Sequence, residues 1–171
     1  MSQTSHPFLE DEFHIRWSTL VPTAIQEDIQ LALDEAQKRL DVLCEGFDPA
    51  ALTFENTLLA LETATEDLSR AWGLVGHLDS VRNSDELREA YNAMLPKVTQ
   101  FYSRIPLNDA LWKRIKAYSE SEEAKSLSGV RARYLDETVK DFVRSGADLP
   151  EDKKNRLEEV QSGLARVTQK F

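Results

Sequence analysis

Apolar residues recur at three- and four-residue spacing through most of this chain, and glycine and proline interrupt the rhythm at only a few points. From Pro22 to about Glu45 the stripe is Ile25, Ile29, Leu33, Ala36, Leu40 and Leu43, one face of a first helix. Asp34–Lys38 and Glu35–Arg39 are favourable pairs one turn apart on its wet side. Gly46 stands where a helix stops in the left-handed conformation. After a connector from Phe47 to Leu52, Thr53 is placed to cap a second helix. Its stripe is Phe54, Leu58, Leu61, Leu68, Trp72, Val75 and Leu78, with Thr65 filling the gap, the spacing of a seam against a neighbouring helix.

The pattern then restarts. Asn83 or Ser84 caps a third helix that Pro96 is expected to kink and that ends before Pro106, with Leu87, Tyr91, Met94, Leu95, Val98, Phe101 and Tyr102 on its apolar side. Asn108 caps a shorter fourth helix carrying Leu111, Trp112, Ile115 and Tyr118. A fifth starts near Ser121, turns Leu127, Val130, Tyr134, Val139 and Phe142 inward, and stops at Gly146. Pro150 suits the first position of a sixth, whose stripe of Leu157, Val160, Leu164, Val167 and Phe171 runs to the last residue without a cap or a glycine stop. The expectation is an all-α chain of about six helices packed as an antiparallel bundle of hairpins. Residues 1–21 read as an extended N-terminal segment and residues 22–171 as a single helical domain that ends inside a helix.

Composition narrows the function more than the fold. The chain has 171 residues, enough for one domain with a real core. A net charge of −9 repels phosphate backbones, and the densest basic run, Lys153-Lys154-Asn155-Arg156, is flanked by Glu151, Asp152, Glu158 and Glu159. No nucleic acid partner is expected. No stretch is apolar enough to cross a bilayer, and residues 1–7 lack the basic and apolar regions of a secretory signal. The single cysteine, Cys44, forms no internal disulfide and suits a reducing cytosol, so a cytoplasmic location is expected.

Candidate chemistry is sparse. A helical zinc site needs two histidines four apart with a glutamate beside the first, whereas His6, His14 and His77 are scattered. His77 reads as a helix-end residue whose imidazole meets the last carbonyls. Cys44, near a helix C-terminus, reads as a packed thiol of raised pKa rather than a nucleophile. The pairs Glu62/Glu66 and Glu137/Asp141 fit a solvated face, because a carboxylate-bridged bundle needs Glu-x-x-His and none occurs. Trp17, Trp72 and Trp112 read as core or interface anchors. No Gly-rich phosphate loop or Gly-x-Ser-x-Gly elbow is present. No residue is therefore assigned a catalytic, cofactor-binding or metal role.

The order of short phrases is more informative than any of these residues. Thr53-Phe54-Glu55-Asn56-Thr57 stands where a "TWENT"-type helix start belongs. Leu68-Ser69-Arg70-Ala71-Trp72, Val75-Gly76-His77-Leu78-Asp79-Ser80-Val81 and Asn83-Ser84-Asp85-Glu86-Leu87-Arg88-Glu89-Ala90-Tyr91 follow. Then come Leu95-Pro96-Lys97-Val98, Asp141-Phe142-Val143-Arg144-Ser145-Gly146 and Leu149-Pro150-Glu151-Asp152-Lys153-Lys154. Together they resemble the N-terminal region of the oligopeptidase A/thimet oligopeptidase family of zinc peptidases. The resemblance implies the N-terminal lobe of a two-lobed helical enzyme that cleaves short peptides in a deep channel. In the family, zinc sits in a His-Glu-x-x-His box far beyond the last residue here, so the resemblance carries no catalytic or metal residue onto this chain and implies no cofactor within it. It implies a wall of the substrate channel, inactive alone, with the catalytic part of the same peptidase as its partner and short peptides as substrates of the whole. The alternative is a stand-alone helical interaction module, a truncated paralogue without catalysis. If the chain is a fragment, the apolar ridge of the last helix lacks its partner, and self-association through it is expected.

Overall fold

Among the residues that the computed structural model describes, 5–168, there are seven α-helices and no strand. They are α1 (Pro22–Cys44), α2 (Ala60–Val81), α3 (Asp85–Arg104), α4 (Asp109–Ser119), α5 (Glu122–Ser126), α6 (Gly129–Arg144) and α7 (Glu151–Thr168). Side-chain caps set several starts. Ser84 Oγ accepts from the Leu87 N–H at 3.2 Å, and Asn108 Oδ1 from the Leu111 N–H at 3.0 Å. Thr53 and Asn56 cap each other: Thr53 Oγ1 takes the Asn56 N–H at 3.1 Å and Asn56 Oδ1 takes the Thr53 N–H at 2.9 Å. A π turn, Glu55–Leu59, follows this cap and leads into α2.

Several local expectations are corrected. The fifth helix is two helices. Ser121 Oγ caps the short α5 through the Ala124 N–H, then Leu127 and Ser128 adopt extended backbone, and Gly129, the first residue of α6, has a φ of +60°. That break resets the helical phase, so Val130 is 85% exposed instead of facing inward, and Leu135 joins Phe142 in the core. Gly46 does not stop α1 in a left-handed turn; Glu45 leaves in extended backbone, and the Leu43 carbonyl accepts from Arg114 Nη1 at 3.3 Å. In α2 the gap in the stripe is filled by buried Ala64, with Thr65 half-buried beside it. Lys38 pairs with Glu35 at 3.7 Å, while Asp34 accepts from Gln30 one turn earlier. α3 runs through Pro96, and Pro150 precedes α7, its carbonyl accepting from Lys153 and Lys154. The expected end of the last stripe at Phe171 lies outside the described residues.

Gly146 does end α6 as its sequence position predicts. It has a φ of +101°, its N–H reaches the Val143 carbonyl at 3.0 Å, and the Ala147 N–H reaches that of Phe142 at 2.9 Å. This six-to-one and five-to-two pair is a Schellman closure.

Two apolar clusters form the interior, and α1 runs through both. Ile25, Ile29, Ala32, Leu33 and Ala36 pack with Leu68, Val75, Leu87 and Met94 of α2 and α3. One and two turns further on, Leu40 and Leu43 pack with Leu58, Leu111, Ile115, Tyr118 and Phe142. α1 thus joins the α2–α3 hairpin to the α4–α6 half, and α7 lies along α3. The segment before α1 is held down too. It makes two 3₁₀ turns, Pro7–Leu9 and Trp17–Thr19, and Phe8 is fully buried in the first cluster.

Candidate functional site

Phe8 is reached through a buried carboxylate. Asp28 sits on the core face of α1 between Ile25 and Ile29 and is 1% exposed. A charge there needs partners. Its Oδ2 accepts the Phe8 N–H at 2.9 Å, and its Oδ1 lies 2.8 Å from His6 Nδ1. Further along the same strap, Arg70 of α2 donates to the Leu9 carbonyl at 3.3 Å and to the Glu10 carbonyl, and stands 3.5 Å from Asp67. These anchors fix residues 6–11 across α1 and α2. Neither Asp28 nor Arg70 was singled out by the sequence as an anchor; a lone aspartate inside an apolar helical stripe was the available signal for Asp28.

The start of α2 is a second polar junction, and it involves Thr53 to Thr57. Asn56 Nδ2 donates to the Ala51 carbonyl at 2.8 Å, and Thr57 is buried with its hydroxyl on Asn56 Oδ1 at 3.0 Å. Phe54 packs in the second cluster, its N–H 3.3 Å from Glu123 Oε1 and its ring under the Arg131 guanidinium at 4.7 Å. Arg131 in turn donates to Glu55 Oε1 at 2.9 Å. Arg114 donates to the Asn56 carbonyl at 3.2 Å as well as to that of Leu43, so one side chain ties the end of α1 to the π turn. Every member of this phrase therefore has a packing, capping or ion-pairing task.

Tyr118 lies beside that junction, fully buried, and its hydroxyl has no hydrogen-bond partner among the described residues. Burial first, then the nearby Glu123 and Glu55 charges, push its pKa up to about 12, against the opposing pull of Arg131. An unfolded tyrosine titrates near 10. A folded pKa above the unfolded one gives stability that is complete below pH 10 and is lost as pH rises towards 12. Urea melts between pH 7 and 11.5 are expected to show that loss, and Tyr118→Phe to blunt it. Because the hydroxyl is unpartnered, Tyr118→Phe should change stability at pH 7 by less than about 1 kcal/mol.

The residues weighed as chemistry resolve into packing and ion pairs. The exposed His77 ring lies against Trp17, centroids 5.2 Å apart and planes at 46°, four residues before α2 ends. Trp72 stacks on Tyr91 at 4.9 Å, and Trp112 is buried with its Nε1 donating to Asp148 at 2.9 Å. Burial pushes the Cys44 thiol up, more than a hydrogen bond with Asn108 lowers it. Glu62 accepts the Tyr134 hydroxyl at 2.7 Å, Glu137 lies 3.4 Å from Lys140 Nζ, and Asp141 is bonded by Arg144. In the basic run, Lys154 is buried on Asp109, and Arg156 pairs with Glu159 at 2.7 Å.

The histidines do not fit a zinc ion. His6 is committed to Asp28 and His14 lies edge-on to Phe13 at 5.0 Å. Among the described residues, no group of three or more histidines, cysteines or carboxylates could hold a metal. Two open grooves, of about 410 Å³ and 470 Å³, are edged by Glu27, Glu86 and Glu89 and by Glu120, Glu122 and Glu123. No helix among the described residues is long and apolar enough to cross a membrane.

The geometry is that of a helical scaffold whose polar junctions serve its own architecture. The chain belongs to the neurolysin/thimet oligopeptidase family: the model of that family's N-terminal domain matches residues 29–154. It is similar to oligopeptidase A of Haemophilus influenzae, 28% identical over 167 residues that make up 98% of this chain and 24% of that one. It is also similar to oligopeptidase A of Escherichia coli, 27% identical over 91% of this chain and 22% of that one. Dipeptidyl carboxypeptidase of Salmonella typhimurium is 32% identical over 82% of this chain and 21% of its own length. The chain thus spans about a quarter of the length of these relatives.

Proposed function

We propose that this chain is the non-catalytic N-terminal part of a zinc-dependent, cytoplasmic oligopeptidase, where it forms one wall of the channel that admits short peptides. The observation that carries this reading is the N-terminal-domain match over residues 29–154, together with relatives about four times as long. A wall needs fixed shape rather than reactive groups. The polar residues support that role: Asp28, Arg70, Arg114 and Glu123 each bind backbone groups of another element. The zinc and the groups that activate water lie, on this reading, in the remaining three quarters of the polypeptide. This part acts by limiting substrate size and by contacting the catalytic part as the channel closes.

Two measurements test it. The purified 171-residue chain should bind no stoichiometric zinc by mass spectrometry and should not turn over a fluorogenic peptide, with or without added zinc. The longer polypeptide from the same gene should cleave that peptide and lose activity to a chelator. Chelator-sensitive cleavage by the 171-residue chain itself would overturn the reading.

A further inference from the structure

α7 presents two different faces. On one, Lys154 is buried, and Leu157, Glu158 and Gln161 are half-buried towards the rest of the domain, with Glu158 bonded by Arg104 of α3. On the other, Val160, Leu164 and Val167 are 51%, 62% and 54% exposed. At about 100° per residue this second row lies roughly 100° round the helix from the first. Scattered exposed valines are ordinary. A row at i, i+4 and i+7 is the knob pattern that a helix presents to another helix.

The N-terminal-domain model ends at residue 154, inside the first turn of α7. The match to the Haemophilus oligopeptidase A continues, taking in 98% of this chain, while that protein is about four times as long. α7 therefore lies at the passage from the N-terminal domain to the rest of such a peptidase. We infer that the Val160–Val167 edge of α7 is the seam on which a helix from the catalytic part of the same polypeptide docks. This rests on the proposed function and deepens it by naming the contact.

The test compares the 171-residue chain with the longer polypeptide from the same gene, both carrying Cys44→Ser and either Val160→Cys or Val167→Cys. Maleimide labelling of the introduced thiol should be at least about tenfold slower in the longer polypeptide, as for a site that reacts only on local opening. Equal rates overturn the seam, and leave the peptidase reading intact if the longer polypeptide still cleaves peptides and is stopped by a chelator. A reading frame that closes at Phe171 overturns both. Slow labelling already in the 171-residue chain, with a concentration-dependent dimer in sedimentation, gives this face to a second copy and overturns the inference.

Discussion

Phe8→Ala is expected to lower the stability of the 171-residue chain by about 3–5 kcal/mol, although residue 8 lies outside every regular helix. The phenylalanine is fully buried among Ile25, Ile29, Leu68 and Met94, so truncation leaves a cavity that the α1–α2–α3 packing cannot close. Domains of this size have about 5–15 kcal/mol in total, so the variant should melt on the order of 10 °C lower. Asp28→Ala should act through the same strap. It leaves the buried Phe8 N–H without its acceptor and costs about 1–3 kcal/mol. Because the two residues share one anchor, the double variant should lose clearly less than the sum. Urea unfolding of the two single variants and the double variant checks both points. Strict additivity would mean that Phe8 stays seated without Asp28.

Gly146→Ala is expected to cost about 2 kcal/mol or more. At a φ of +101° a side chain is strained by about 1–3 kcal/mol, whatever surrounds it. A Cβ there would also stand 2.9 Å from the tips of both Leu149 and Leu157. Those leucines fasten the start of α7, so hydrogen exchange should quicken across α7 before it changes in α1. Gly73→Ala provides the contrast. That glycine lies within α2 with open space around its Cα, and alanine there should stabilise by about 0.5–1 kcal/mol. Opposite signs at the two glycines, read from urea midpoints, would confirm that backbone conformation decides the outcome.

The all-α architecture was legible because the helices carry long apolar stripes, and Ser84 and Asn108 act as caps where the sequence places them. Periodicity failed where a helix breaks without proline. Ser128-Gly129 divides the expected fifth helix, and a phase counted across the break sends Val130 the wrong way. Gly46 misled because a tertiary donor, Arg114, 71 residues from the Leu43 carbonyl it bonds, does the work that a left-handed glycine does elsewhere. The junctions were the least legible part. Asp28, Arg70 and Arg114 hold groups 20 to 71 residues distant, and no local pattern announces such a bond. The Thr53–Thr57 phrase shows the complementary case. Its value as a family marker was readable, but its cause, a reciprocal cap feeding a π turn, needed coordinates.

The placement of Asp28 has a practical consequence for anyone trimming this protein. The match to the family's N-terminal domain begins at Ile29, one residue after that carboxylate and two turns into a 23-residue helix. A fragment cut to the borders of that domain match would discard the opening turns of α1, the clasp and the aromatic plug beneath it. The match to the Haemophilus oligopeptidase A, which takes in 98% of this chain, spans that clasp as well, so the unit that must stand together is the longer one.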